Sequence, residues 1–156
     1  MDPHDRSIIA AQGYLELGMF RHVWRELEAL PASQRERSEV LELQVLSLMG
    51  ERRWQEALEM ARQLRTLRPK DAGGFIHEAY CLHELGRTRE ALDTLLAGPE
   101  SLQEKPVFFY NAACYRAQLG EMEDAVRLLG LAFKMDGSLR QSARCDPDLK
   151  SLKDKL

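Results

Sequence analysis

The sequence predicts an all-α chain of stacked helical hairpins, an α-solenoid, on three observations. The phrase Gly86-Arg87-Thr88-Arg89-Glu90-Ala91-Leu92 returns 34 residues later as Gly120-Glu121-Met122-Glu123-Asp124-Ala125-Val126, and the same step backwards from Ala91 reaches Ala57 and then Val23. Small residues recur at two fixed places in the resulting unit. Apolar residues at helical spacing flank a glycine that punctuates most of the units.

Four units align without a gap, at 4–37, 38–71, 72–105 and 106–139, and a tail of 17 residues follows at 140–156. Position 8 of the unit holds Ala11, Val45, Ala79 and Ala113, and position 20 holds Val23, Ala57, Ala91 and Ala125. Small side chains at both places let the two helices of a hairpin approach closely. Position 4 carries Leu41, Phe75 and Phe109, and position 11 carries Tyr14, Leu48 and Leu82, so the first helix has an apolar stripe. The fourth unit breaks that stripe with Arg116. The second helix has its own, as in Ala57, Leu58, Ala61 and Leu64, or Ala125, Val126, Leu129 and Ala132.

Gly18, Gly86 and Gly120 stand at position 15, where a residue lacking Cβ closes the first helix in the left-handed conformation. The second unit has Arg52 there and Gly50 two residues earlier, which predicts a strained or lengthened turn. Ser33-x-x-Glu36 and Ser101-x-x-Glu104 match capping boxes, and Asp71 is placed to cap the next helix. Pro31, Pro69 and Pro99 fall where second helices end. In the tail, Asp146-Pro147 opens a short helix whose Leu149 and Leu152 cover the last unit's apolar face, with Lys150, Lys153, Asp154 and Lys155 in water.

These residues resemble the tetratricopeptide-repeat family. Its pattern pairs a small residue at position 8, Gly at 15, an aromatic at 17, Ala at 20 and Pro at 32. Phe20 and Trp54 fill the aromatic position, Pro69 fills the proline position, and Tyr110-Asn111-Ala112-Ala113-Cys114 looks like the opening of a last repeat. Thr88 and Met122 depart from the aromatic, and Arg35, Gln103 and Gly137 from the proline. The resemblance implies one domain over 1–156, coiled as a right-handed superhelix.

The resemblance further implies a concave groove lined by the first helices. Residue by residue it contains Ile8, Ile9, Gln12, Leu15 and Glu16, then Glu39, Glu42, Leu43, Leu46 and Met49. It continues with Ile76, His77, Tyr80, His83 and Glu84, and ends with Val107, Tyr110, Asn111, Cys114 and Gln118. The family's clamp for C-terminal carboxylates is absent, because position 5 holds Ile8, Glu42, Ile76 and Tyr110 and only Asn111 matches at position 6. An apolar floor with a partly acidic rim fits a partner segment that has apolar anchors and a basic residue. The N-terminal helix or a second copy of the chain is the alternative occupant.

Composition excludes several other functions. Of 156 residues 44% are hydrophobic, too many for a disordered chain, and 22 Lys and Arg against 25 Asp and Glu leave a net charge of −3, with no basic excess for nucleic acid. No run of 18 apolar residues occurs, so neither a signal peptide nor a membrane span is expected. Cys81, Cys114 and Cys145 form no CxxC pair, which points to a reducing cytoplasm and no metal site. His77 and Cys81 have i, i+4 spacing but lack a third ligand. Phosphate-loop, dinucleotide and hydrolase motifs are missing, and no cofactor or catalytic residue is expected. Most carboxylates, and the cluster Arg62, Arg65, Arg68 and Lys70, read as a solvated outer face. The expected function is a non-enzymatic adaptor or chaperone-like module. A chaperone of the bacterial type III secretion kind and a self-assembling structural subunit are the alternatives.

Overall fold

A computed structural model describes residues 2–156, which form ten α-helices and two 3₁₀ helices and contain no strand. Four antiparallel hairpins follow one another: α1 (Pro3–Glu16) with α2 (Phe20–Glu28), α4 (Ser38–Gly50) with α5 (Trp54–Leu67), α6 (Ala72–Glu84) with α7 (Thr88–Leu96), and α8 (Pro106–Gln118) with α9 (Met122–Met135). The short α3 (Ala32–Arg35) and a 3₁₀ helix at Glu100–Glu104 join hairpins, while α10 (Leu139–Cys145) and a 3₁₀ helix at Pro147–Lys155 close the chain. No helix among the described residues is long and apolar enough to cross a membrane.

All eight residues at positions 8 and 20 are 0% exposed, Val23 and Val45 included. Nothing larger than valine stands where the two helices of a hairpin cross, and this close approach fixes the register of every unit. Leu149 and Leu152 of the tail are fully buried in the same core as Ala125 and Leu129, so the last hairpin's apolar face is covered.

One turn serves all four hairpins. Gly18, Gly86 and Gly120 have φ of 68°, 79° and 82°, and Arg52 takes the same conformation at φ 58°. In each turn the next residue's N–H returns to a carbonyl of the helix: Met19 to Tyr14, Arg53 to Leu48, Arg87 to Leu82 and Glu121 to Arg116, at 2.8–2.9 Å. The second turn is therefore strained at a residue with Cβ but keeps the common length. Gly50 answers a different need, since a Cβ there would run into the Phe20 ring of the preceding hairpin.

Three local expectations are corrected. Neither capping box forms: Ser33 lies inside α3, whose N-cap is Pro31, and the Ser101 hydroxyl donates to the Lys70 carbonyl at 3.1 Å. Asp71 does occupy the N-cap of α6, but its side chain makes no capping hydrogen bond. The basic cluster is exposed at Arg62, Arg68 and Lys70, but it is more than a solvated face: Arg62 and Arg65 reach Glu78 on α6 at 3.2 and 2.7 Å, and Glu78 is only 3% exposed. Gly74, one turn earlier, lets α6 press on the backbone of α5, where a Cβ would come within 2.8 Å of the Arg65 nitrogen. Where the repeat pattern lacks its first proline, Arg35 closes the end of α2 by donating to the Leu30 carbonyl at 2.8 Å.

Candidate functional site: a groove closed at one end by the tail

The first helices α1, α4, α6 and α8 share a face that carries three hollows in a row. The first, of about 330 Å³, lies between α1 and α4 and contains Gln12, Leu15, Leu43 and Leu46 beside the carboxylates of Glu16, Glu39 and Glu42. The second, of about 600 Å³, holds Ile76 and His77 with Lys70, Asp71, Glu104 and Lys105. The third, of about 660 Å³, holds Tyr80, His83, Tyr110, Asn111 and Cys114. Glu42 borders both the first and second hollows and Val107 both the second and third, so the three form one continuous groove.

Sixteen of the twenty expected groove residues thus line it, and four do not: Ile8, Met49, the exposed Ile9, and Gln118, which reaches the tail instead. Ile8 is buried in the core that α1 and α2 share with α4, with Ala11, Val23 and Val40. Met49 is half-buried and packs against the main core. His77 and Cys81 part company as well: His77 meets Glu42 at 3.3 Å, while Cys81 is fully buried in the core, where burial pushes its thiol up to about 12. The His77 hydrogen bond holds the Glu42 carboxyl below its ordinary value.

The third hollow differs from expectation in kind, because the chain's own tail enters it. The Tyr110 hydroxyl donates to Asp146 Oδ2 at 2.7 Å, and the Cys114 thiol donates to the same oxygen at 3.8 Å. His83 Nε2 meets Asp148 Oδ2 at 2.8 Å, with its Nδ1 at 2.9 Å from Thr88 Oγ1, and the Gln118 amide donates to the Asp148 carbonyl at 3.0 Å. Asp146 is also the N-cap of the final 3₁₀ helix, accepting the Asp148 N–H at 3.0 Å. Tyr110 and Cys114 are consequently not open anchors: both are buried and already partnered. Tyr80 remains open at 37% exposure, its ring backed by Trp54 at 5.8 Å.

Burial and the nearby carboxylates push the Tyr110 and Cys114 hydroxyl and thiol far up, so both are protonated donors. Burial alone would lower His83, but the Asp148 hydrogen bond and the charges of Asp148, Glu84 and Asp146 raise it above its ordinary value. Ligand atoms of Cys114, Asp146 and Asp148 lie within 4.8 Å of one another, yet the protein's own donors already engage both carboxylates. Sequence reasoning placed Asp146 and Asp148 in a cap and missed their part in the groove. The N-cap signature was visible; the partners 36 and 65 residues away were not.

Stacked hairpins of this period, with a groove along their first helices, define a solenoid of the tetratricopeptide-repeat fold. No family model matches the sequence, and no curated protein does. Among solved structures, the chain is similar to MamA (residues 41 to the end) from Desulfovibrio magneticus RS-1, with a TM-score of 0.75, 16% identity, and coverage of 99% of this chain and 87% of that one. A MamA double mutant superposes equally well, at a TM-score of 0.74 and 16% identity over 99% of this chain and 86% of that one. PcrH, in complex with the chaperone binding region of PopB, matches with a TM-score of 0.59 and 22% identity over 81% of this chain and 94% of that one. At these identities the likeness shows the fold.

Proposed function

We propose that the chain is a non-enzymatic protein–protein interaction module, adaptor or chaperone-like, that holds a partner segment in the groove of its first helices. The observation that carries this reading is the division of the groove. The tail walls the third hollow, whereas the first offers the apolar side chains of Leu15, Leu43 and Leu46 with Glu16, Glu39 and Glu42 around them and no Lys or Arg in its lining. Such a surface favours an amphipathic segment with apolar anchors and basic residues, because apolar burial supplies affinity and charge sets register. His83, Tyr110 and Cys114 of the third hollow are engaged in holding the tail, which is a structural task and supports a non-enzymatic role.

A chaperone of the type III secretion kind is the sharper reading. The likeness to PcrH, whose structure holds a chaperone binding region of PopB, supports it. Action in the cytoplasm is part of the same proposal, and the free state of all three cysteines supports it.

The test is capture from a native extract, with mass spectrometry, using the wild-type chain, a Leu15→Glu/Leu46→Glu variant and a Leu131→Glu variant. Leu131 is an exposed residue of α9, outside all three hollows. Loss of the same partner from the groove variant alone, with helix content unchanged, is the expected result. Loss from the Leu131 variant alone would move the binding face to the second helices and end the groove reading.

A further inference from the structure

The third hollow is built differently from the rest of the groove. Tyr80, Tyr110 and Tyr115 line it, together with the carboxylates of Glu84, Asp146 and Asp148, and its lining contains no Lys or Arg. The carboxylates are unequally compensated. Asp148 faces His83, Asp146 meets only the neutral donors of Tyr110 and Cys114 and a backbone N–H, and exposed Glu84 enters no ion pair among the described residues. An independent observation comes from Tyr115, which is 1% exposed, lines the same hollow, and has a buried hydroxyl with no hydrogen-bond partner among the described residues. A buried polar atom in that state is costly unless something completes it.

We propose that this hollow is a subsite for an organic cation, the guanidinium of an arginine on the partner segment, received between the open Tyr80 ring and the carboxylates of Glu84 and Asp146. The proposal rests on the groove being the partner-binding surface and adds the chemistry of one anchor. A guanidinium is flat, so it stacks on a tyrosine face, and its fork of N–H donors pairs with carboxylate oxygens. The carboxylates of Glu84, Asp146 and Asp148 give the hollow a negative field, and their charges add to burial in raising the Tyr80 hydroxyl. The tail contributes Asp146, so the subsite exists only while the tail is docked, and the last hairpin and its cap act together in binding.

The experiment is a nuclear magnetic resonance titration of the full ¹⁵N-labelled chain with N-acetylarginine amide, and in parallel with N-acetylcitrulline amide, which keeps the shape and lacks the charge. The expected result is saturable shifts at Tyr80, Glu84 and Tyr110 for the arginine compound, with citrulline at least about fivefold weaker, as a cation–π contact and one ion pair imply. Glu84→Gln, a change at an exposed residue that leaves the fold intact, weakens the arginine compound several-fold. Equal binding of both compounds, no saturable shift, or shifts confined to Glu39 and Glu42 in the first hollow would each overturn the proposal. The outcomes separate from those of the groove reading. Partner capture lost in the Leu15/Leu46 variant, together with no arginine binding, removes the cation subsite alone, whereas arginine binding with capture lost only in the Leu131 variant removes the groove reading.

Discussion

Tyr110, in the first helix of the last hairpin, and Asp146, the cap of the terminal 3₁₀ helix, are joined by a 2.7 Å hydrogen bond across 36 residues. That bond turns a solubilising cap into one wall of the groove. A tail held only by Leu149 and Leu152 would cover the apolar end of the stack without entering the groove of the first helices.

Tyr110→Phe keeps the ring and removes the donor, leaving Asp146 with the thiol and one backbone N–H. A hydrogen bond to a charged group contributes about 1.5–3 kcal/mol, and the partial exposure of Asp146 puts the expected loss near the lower end. Urea denaturation measures it, and amide exchange should quicken at 148–155 with α4–α7 unchanged. Exchange as slow as in the wild type would mean that the two leucines alone hold the tail.

The His83–Asp148 pair makes tail docking depend on pH in a stated direction. The folded state holds the His83 proton above the ordinary value of 6.5, so the pair's contribution is complete below about pH 6.5 and is lost as pH rises through the raised value. Stability measured across pH 5.5–8.5 should therefore fall more steeply for the wild type than for His83→Gln. Parallel profiles would show that the charge on His83 does not contribute.

Arg52 holds a left-handed conformation that its three counterparts reach as glycine. Relieving a Cβ from that region is worth about 1 kcal/mol, less the greater freedom glycine gains in the unfolded chain. Arg52→Gly is expected to raise the melting temperature by a few degrees. A drop would mean that the Arg52 side chain makes a stabilising contact stronger than the strain.

Ala91 and Ala125 leave no room at the helix crossings, both being fully buried. Ala91→Leu or Ala125→Leu should overpack its hairpin and cost about 1–3 kcal/mol, read from chemical denaturation. Exposed Leu96→Ala is the matched control and should change stability little.

Glu78 is a buried carboxylate held by two partly exposed arginines. Arg65→Ala should destabilise the chain clearly more than Arg68→Ala, because Arg65 contacts Glu78 at 2.7 Å and stacks over Phe75, whereas Arg68 only donates to the Ser38 hydroxyl. Thermal unfolding of the two variants side by side makes the comparison.

The repeat, the helix pairs, the left-handed turns and the small residues at the crossings were legible in the sequence. Each is a local demand repeated at a fixed period: a crossing admits only a small side chain, and a turn with positive φ favours glycine. The resemblance to the repeat family put sixteen of twenty residues on the groove face and misplaced Ile8 and Met49, which pack with the cores, and Ile9 and Gln118, which lie outside the hollow linings. What the sequence could not reveal is which distant groups meet. Glu78 reads like any surface glutamate until α5 brings two arginines to it, and Asp146 and Asp148 read as a cap until the tail folds back on α6 and α8. Periodicity is a property of neighbours along the chain, whereas pairing across 16, 36 or 65 residues depends on how the hairpins stack, and only the tertiary structure decides that.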